Sequence, residues 1–221
     1  MGAVKNLKAL LFDAGDVLYH RPRRGALVKS FLGKLGLPKL PPDKEKAAAL
    51  KREAYAGKIT KQQYQDEFLA LHGVSDPALL CEGRRILDDD QRDIVFFEGV
   101  PETLHRLKAA GLRLGVVTNT YDATRDKLDW FRRAGIDSLW DSFATSCELK
   151  MTKPDPRIYQ AALDPLKVRP EETAFVGHAA AELEGAKALG LITIAFNRDN
   201  ATVSADYVIA SFAELLPLVG L

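Results

Sequence analysis

The sequence predicts an α/β fold, a parallel sheet covered by helices on both faces with a small helical domain inserted into it, on three observations. Short apolar runs recur along the chain and end abruptly in polar or turn-forming residues. Helical patterns with their own start and stop signals separate them. One long stretch, residues 19–96, breaks this alternation, being helically patterned throughout with no strand-like run. Strands alternating with helices imply parallel pairing, because a parallel neighbour is reached only through a crossover that packs back on the sheet.

Taken in order, the first strand falls on residues 7–12 and closes on Asp13-Ala14-Gly15-Asp16, residues that favour turns. Helical patterning follows over 26–35, 43–56, 61–71 and 77–86. The next helix, 101–110, opens on Pro101 and stops at Gly111, and a strand follows over 112–117. Further strands are predicted over 174–176, 192–196 and 207–209, with a helix over 180–189 that closes at Gly190. The core domain is thus residues 1–18 with 97–221, and the insertion is 19–96. The insertion is mildly basic, with 15 Lys and Arg against 11 Asp and Glu.

Composition bounds the function. The chain has 221 residues, of which 47% are hydrophobic and 28% charged, and 31 Lys and Arg nearly balance 30 Asp and Glu. That balance gives no footprint for nucleic acid or an anionic membrane. No apolar run approaches the roughly twenty residues that cross a bilayer. Two cysteines, Cys81 and Cys147, cannot staple a secreted fold of this length. A cytoplasmic protein acting on a small anionic molecule, as a monomer or homodimer, is expected.

Ligands of open parallel sheets collect at the carboxyl ends of the strands, and those positions carry reactive groups here. The first strand delivers Asp13 and the second Thr118-Asn119-Thr120. A later loop places Lys153 before Pro154, and a third strand ends in Gly177-His178-Ala179-Ala180-Ala181-Glu182.

In order and spacing these four segments resemble the motifs of the haloacid dehalogenase superfamily: Phe12-Asp13-Ala14-Gly15-Asp16-Val17-Leu18, Thr118, Lys153 and the segment from Gly177 to Glu182. The resemblance spans nearly the whole chain. It implies a Rossmann-like core, with the insertion at 19–96 as a mobile helical cap. It further implies catalytic roles for Asp13 as nucleophile, Thr118 as a donor to phosphoryl oxygens and Lys153 as a neutralising cation. The residue chemistry agrees: a carboxylate is ionised at neutral pH, and its attack on an electrophile leaves an acyl-type ester that water cleaves. Gly15, Asn119 and Arg21 are read as substrate-binding positions.

The chain departs from the family pattern at two places. Phosphatases of the family carry a second Asp two residues after the nucleophile as general acid, where this chain has Gly15; Asp16, His20 and His178 are the candidate substitutes. The fourth motif, Gly-Asp-x-x-x-Asp in the family, reads Gly177-His178-x-x-x-Glu182. The metal site implied by the resemblance comprises Asp13, Gly15, His178 and Glu182. Family resemblance implies Mg²⁺, whereas an imidazole ligand favours Mn²⁺, Co²⁺ or Zn²⁺.

Three functions remain open. A phosphatase acting through an aspartyl-phosphate ranks first, because nucleophile, hydroxyl and lysine are all present. A non-catalytic binder of a phospholigand or protein ranks second. A metal-free 2-haloacid dehalogenase ranks third: halide leaves without a proton, which suits Gly15, but the Ser-Asn-Gly and Ser-Ser-Asn-x-x-Asp segments of dehalogenases are missing. Of the remaining features, Asp88-Asp89-Asp90 reads as a solvated helix end, both cysteines as packing residues, and Trp130, Phe131 and Trp140 as core.

Overall fold

A computed structural model describes residue 4 and residues 6–221. Strand β1 (Ala9–Phe12) is followed by the two-residue strand β2 (Tyr19–His20) and then by helices α1 (Ala26–Lys34), α2 (Lys44–Tyr55), α3 (Lys61–Leu71) and α4 (Pro77–Arg92). A second two-residue strand, β3 (Val95–Phe96), leads into α5 (Val100–Ala109), β4 (Arg113–Thr118), α6 (Thr124–Arg132), β5 (Ser142–Thr145) and α7 (Ser146–Leu149). The chain ends with α8 (Pro156–Leu163), β6 (Thr173–Gly177), α9 (Ala180–Ala188), β7 (Ile192–Phe196), β8 (Tyr207–Ile209) and α10 (Leu215–Leu218).

Six strands form one sheet in the order β5-β4-β1-β6-β7-β8, every pair parallel. From β1 the chain builds outward through β4 to β5, then returns to the other side of β1 and builds outward through β6, β7 and β8. The order reverses at β1, so the crevice at the carboxyl ends of β1, β4 and β6 is the switch point where such sheets hold ligands. All four residues of β1 are buried. Period-two alternation sends Leu10 and Phe12 to one face, against Val100, Leu104 and Phe131, and Ala9 and Leu11 to the other, against Ile158, Tyr159 and Leu183. A strand buried on both faces reads as a continuous apolar run, which is why residues 7–12 betrayed it.

The segment between β2 and β3 has its own apolar cluster, built from Val28, Phe31, Leu32, Leu69, Val74 and Leu87. Three of its four helices start on side-chain caps: Asp43 accepts from the Lys46 amide, Thr60 and Gln63 form a capping box, and Asp76 accepts from the Ala78 and Leu79 amides. The expectation that residues 19–96 hold no strand is corrected at both ends, where β2 and β3 pair antiparallel, Tyr19 with Phe96 and His20 with Val95. Two-residue strands are too short to carry a pattern. The Asp88-Asp89-Asp90 run is also corrected: Asp90 is buried and accepts from the Gly25 and Leu27 amides, and Asp88 pairs with Lys61. Cys81 is exposed rather than packed, whereas Trp130 and Phe131 are core. No helix of the described residues is long and apolar enough to cross a membrane.

Candidate active site

Asp13 follows β1 directly, and its amide donates to the Val176 carbonyl of β6, which carries the sheet register one residue further and fixes where the side chain emerges. The side chain is buried. Its Oδ1 accepts from the Ala14 amide at 2.7 Å and lies 2.7 Å from Lys153 Nζ. Its Oδ2 lies 3.3 Å from His178 Nε2. Burial opposes ionisation, but the Lys153 charge and the His178 hydrogen bond outweigh it and hold the Asp13 pKa at about 2.

Lys153 is fully buried and also reaches Glu182 Oε2, at 2.7 Å. Its backbone is gripped by Asn119, whose Oδ1 accepts from the Lys153 amide at 2.9 Å while its Nδ2 donates to the Lys153 carbonyl at 3.2 Å. Asn119 therefore positions the lysine backbone as well as standing on the cavity wall where a substrate ligand is expected. Helix α9 supplies a second constraint: a Cβ on Gly185 would lie 2.6 Å from the Pro154 carbonyl oxygen, so only glycine lets the helix approach this loop. Buried lysines lose charge readily, yet the Asp13 and Glu182 carboxylates outweigh that burial and keep the Lys153 pKa raised. Burial, against the opposing Lys153 charge, raises the Glu182 pKa.

These residues open on a cavity of 260 Å³ between the core and the inserted helices, which Gly15, Thr118, Asn119, Arg21, His178 and Glu182 also line. The sequence-predicted positions thus meet at one cavity with two exceptions, Lys153, which is buried behind Asp13 and Glu182, and the candidate proton donor His20, which is not on its wall. Among the candidate proton donors, His20 stacks on Phe97 with centroids 5.0 Å apart, and Asp16 pairs with Arg24 at 3.0 Å. Sequence reasoning missed Asp199, 2.6 Å from His178 Nδ1, because the two are 21 residues apart and no motif links them. It also missed Lys51 and Tyr121 on the cavity wall.

Asp13, His178 and Glu182 offer oxygen and nitrogen atoms within 4.8 Å of one another, the spacing of a metal site. Their chemistry fits a divalent ion poorly. Lys153 already neutralises one oxygen of each carboxylate, and both ring nitrogens of His178 face carboxylates. Burial disfavours the charged ring, but hydrogen bonding and charge from Asp13, then Asp199, push its pKa up to about 9. An imidazolium has no lone pair for a metal. The expected preference for Mn²⁺, Co²⁺ or Zn²⁺ therefore requires the ring to give up that proton, and Gly15 brings no side chain to the set. The Mg²⁺ that members of the family generally use would have to compete with two resident cations.

A family model described as haloacid dehalogenase-like hydrolase matches residues 7–190. The chain belongs to this family of hydrolases, with its helical cap inserted after the first strand. It is 30% identical to the glyceraldehyde 3-phosphate phosphatase of Methanothermobacter thermautotrophicus over 207 residues, covering 91% of each chain. It is 32% identical to (S)-2-haloacid dehalogenase 4A of Burkholderia cepacia over 133 residues, which is 58% of this chain and 57% of the relative. The chain thus spans little more than half the length of that dehalogenase. Among solved structures, one described as a dehalogenase superposes with a TM-score of 0.67 at 26% identity, covering 97% of this chain and 98% of that one.

Proposed function

We propose that the chain is a phosphomonoesterase for a small phosphorylated molecule, working through an aspartyl-phosphate on Asp13. The observation that carries this reading is the Asp13–Lys153 pair. A buried carboxylate is kept ionised by a buried ammonium 2.7 Å away, at the switch point of the sheet, beside the Thr118 hydroxyl and facing a polar cavity. The match to a phosphatase over nine-tenths of both chains supports it.

Asp13 Oδ1 takes the Ala14 amide and the Lys153 ammonium at 2.7 Å each, whereas Oδ2 has only the longer 3.3 Å contact to His178, so Oδ2 is the attacking oxygen. Its bond to phosphorus forms as the bond from phosphorus to the ester oxygen breaks, and the leaving group departs with the electron pair. Water then attacks the acyl phosphate, releasing inorganic phosphate and restoring Asp13. Lys153, the His178 imidazolium and the Thr118 hydroxyl offset the charge that gathers on the phosphoryl oxygens. No acid stands two residues beyond Asp13, so esters whose leaving groups need no proton are the favoured substrates.

A second reading, carbon–halogen hydrolysis, is favoured by that same missing acid and by the dehalogenase relatives. Halide leaves unprotonated, and Asp13 would attack carbon instead. Incubation with an aryl phosphate, with and without chelator, and in parallel with 2-chloropropionate under chloride detection, separates the two. Phosphate release abolished by Asp13→Asn supports the first reading, and chloride release alone supports the second. Neither product from the folded protein would leave a non-catalytic binder.

A further inference from the structure

Charged side chains around the catalytic cavity fall into two groups. Most are neutralised by a neighbour. Asp13 and Glu182 share Lys153, Asp16 pairs with Arg24 at 3.0 Å, and Asp122 lies 2.9 Å from Lys61 and 3.5 Å from Lys127. Within the basic run that leaves β2, Arg23 is likewise engaged, forming two hydrogen bonds to Asp93 at 2.8 and 2.9 Å.

Two cations are left over. Among the described residues, neither Arg21 nor Lys51 has a carboxylate within ion-pair distance, and both line the wall of the cavity contributed by the cap. Arg21 is half-buried and fixed: its Nη1 donates to Gln91 Oε1 at 2.6 Å, and the Gln91 amide in turn donates to the Tyr121 hydroxyl of the core. Lys51 projects from α2, its ammonium 5.2 Å from the centre of the Tyr55 ring. Partial burial, then repulsion from Arg24 and Arg21, lowers its pKa, as happens when like charges face one another without a counter-ion. Both residues also border a second cavity of 240 Å³ inside the cap, where the one carboxylate, Asp90, is bonded to the Gly25 and Leu27 amides.

We propose that Arg21 and Lys51 form a subsite for a second anionic group, so that the substrate class is a phosphomonoester that also carries a carboxylate or a further phosphate. The phosphoryl group lies against Asp13, and the second anion spans the cavity to the cap wall. A guanidinium held in place by a neutral amide keeps its charge uncompensated and its donors pre-oriented for a carboxylate fork. The substrate class rests on the phosphatase reading of Asp13, while the recognition of the second anion stands on Arg21 and Lys51.

Two matched pairs test this. Turnover is compared for 3-carboxyphenyl phosphate and its neutral isostere 3-carbamoylphenyl phosphate, and binding by calorimetry for phosphonoacetate and its primary amide. The carboxylate member of each pair is expected to be preferred by roughly tenfold or more. Arg21→Gln and Lys51→Met should each bring that ratio toward one. Loss of turnover of both esters by a common factor, with the ratio unchanged, makes Arg21 merely structural and overturns the subsite. Equal binding of both phosphonates by the wild-type protein overturns it as well. If neither ester is hydrolysed while phosphonoacetate is still preferred, the phosphatase reading fails and the subsite stands.

Discussion

His178 Nε2 lies 3.3 Å from Asp13 Oδ2 while its Nδ1 lies 2.6 Å from Asp199 Oδ1, so the ring bridges two carboxylates beside the proposed nucleophile. Its folded pKa of about 9 is raised above the ordinary 6.5. The stabilisation is therefore fully present below the unfolded value and is lost as pH rises through the folded one. A ring-nitrogen NMR titration should find both nitrogens protonated at neutral pH, and kcat/KM should decline as the alkaline midpoint is passed. Asp199→Asn should lower that midpoint, modestly, because Asp199 is half exposed. A wild-type midpoint near the ordinary histidine value would contradict the bridge.

The same bridge leads to a prediction about metal dependence. Calorimetry should detect no tight Mg²⁺ binding by the wild-type protein, and chelators should leave most of the activity in place. His178→Asp removes a cation and adds an anion beside Asp13 and Glu182, so this variant should bind Mg²⁺ measurably. Wild-type turnover that stops on chelation and returns with Mg²⁺ would show that the ion displaces the resident cations.

Gly15 stands where a general acid is expected, and a Cβ there would meet nothing within 4 Å. Gly15→Asp should therefore fold normally. For wild-type enzyme, log kcat/KM on a series of aryl and alkyl phosphates should fall steeply as the leaving group becomes more basic. The variant should flatten that slope and raise turnover of the alkyl esters, by up to ~10²-fold if the new carboxyl is well aligned. Parallel slopes would mean that the proton already comes from elsewhere.

How much of this was legible beforehand depended on length scale. The sequence marks residues 192–196 and 207–209 with the bounds observed, because short β-branched or aromatic runs bounded by polar residues have few alternatives. Strand β5, Ser142–Thr145, has no such signal, since an edge strand of four residues pairs with β4 alone and carries too short an alternation. The cavity positions followed from strand ends. Their charges did not: whether His178 holds a proton depends on Asp199, and whether Arg21 is neutralised depends on Gln91 rather than on Asp93, relationships that only the fold creates.

The cap is proposed to move, and Asp122 joins it to the core. This buried carboxylate accepts Lys61 from the cap at 2.9 Å and faces Lys127 of the core at 3.5 Å. Replacing it by Ala leaves Lys127 buried and uncompensated, so a cost of about 3 kcal/mol in denaturant unfolding is expected. Asp122→Asn should be milder and should speed hydrogen exchange at the hinges near Leu18 and Phe97. Exchange at both hinges that neither this variant nor a phosphate analogue alters would count against a moving cap.

The covalent role of Asp13 is tested most directly by acid-quenching the enzyme during turnover of an aryl phosphate and locating the phosphoryl group by peptide mass spectrometry. A phosphoryl adduct on Asp13, formed and lost at rates compatible with kcat and absent from a folded, inactive Asp13→Asn variant, is the expected result. Steady hydrolysis with no adduct on Asp13, or near wild-type turnover by Asp13→Asn, would contradict the account.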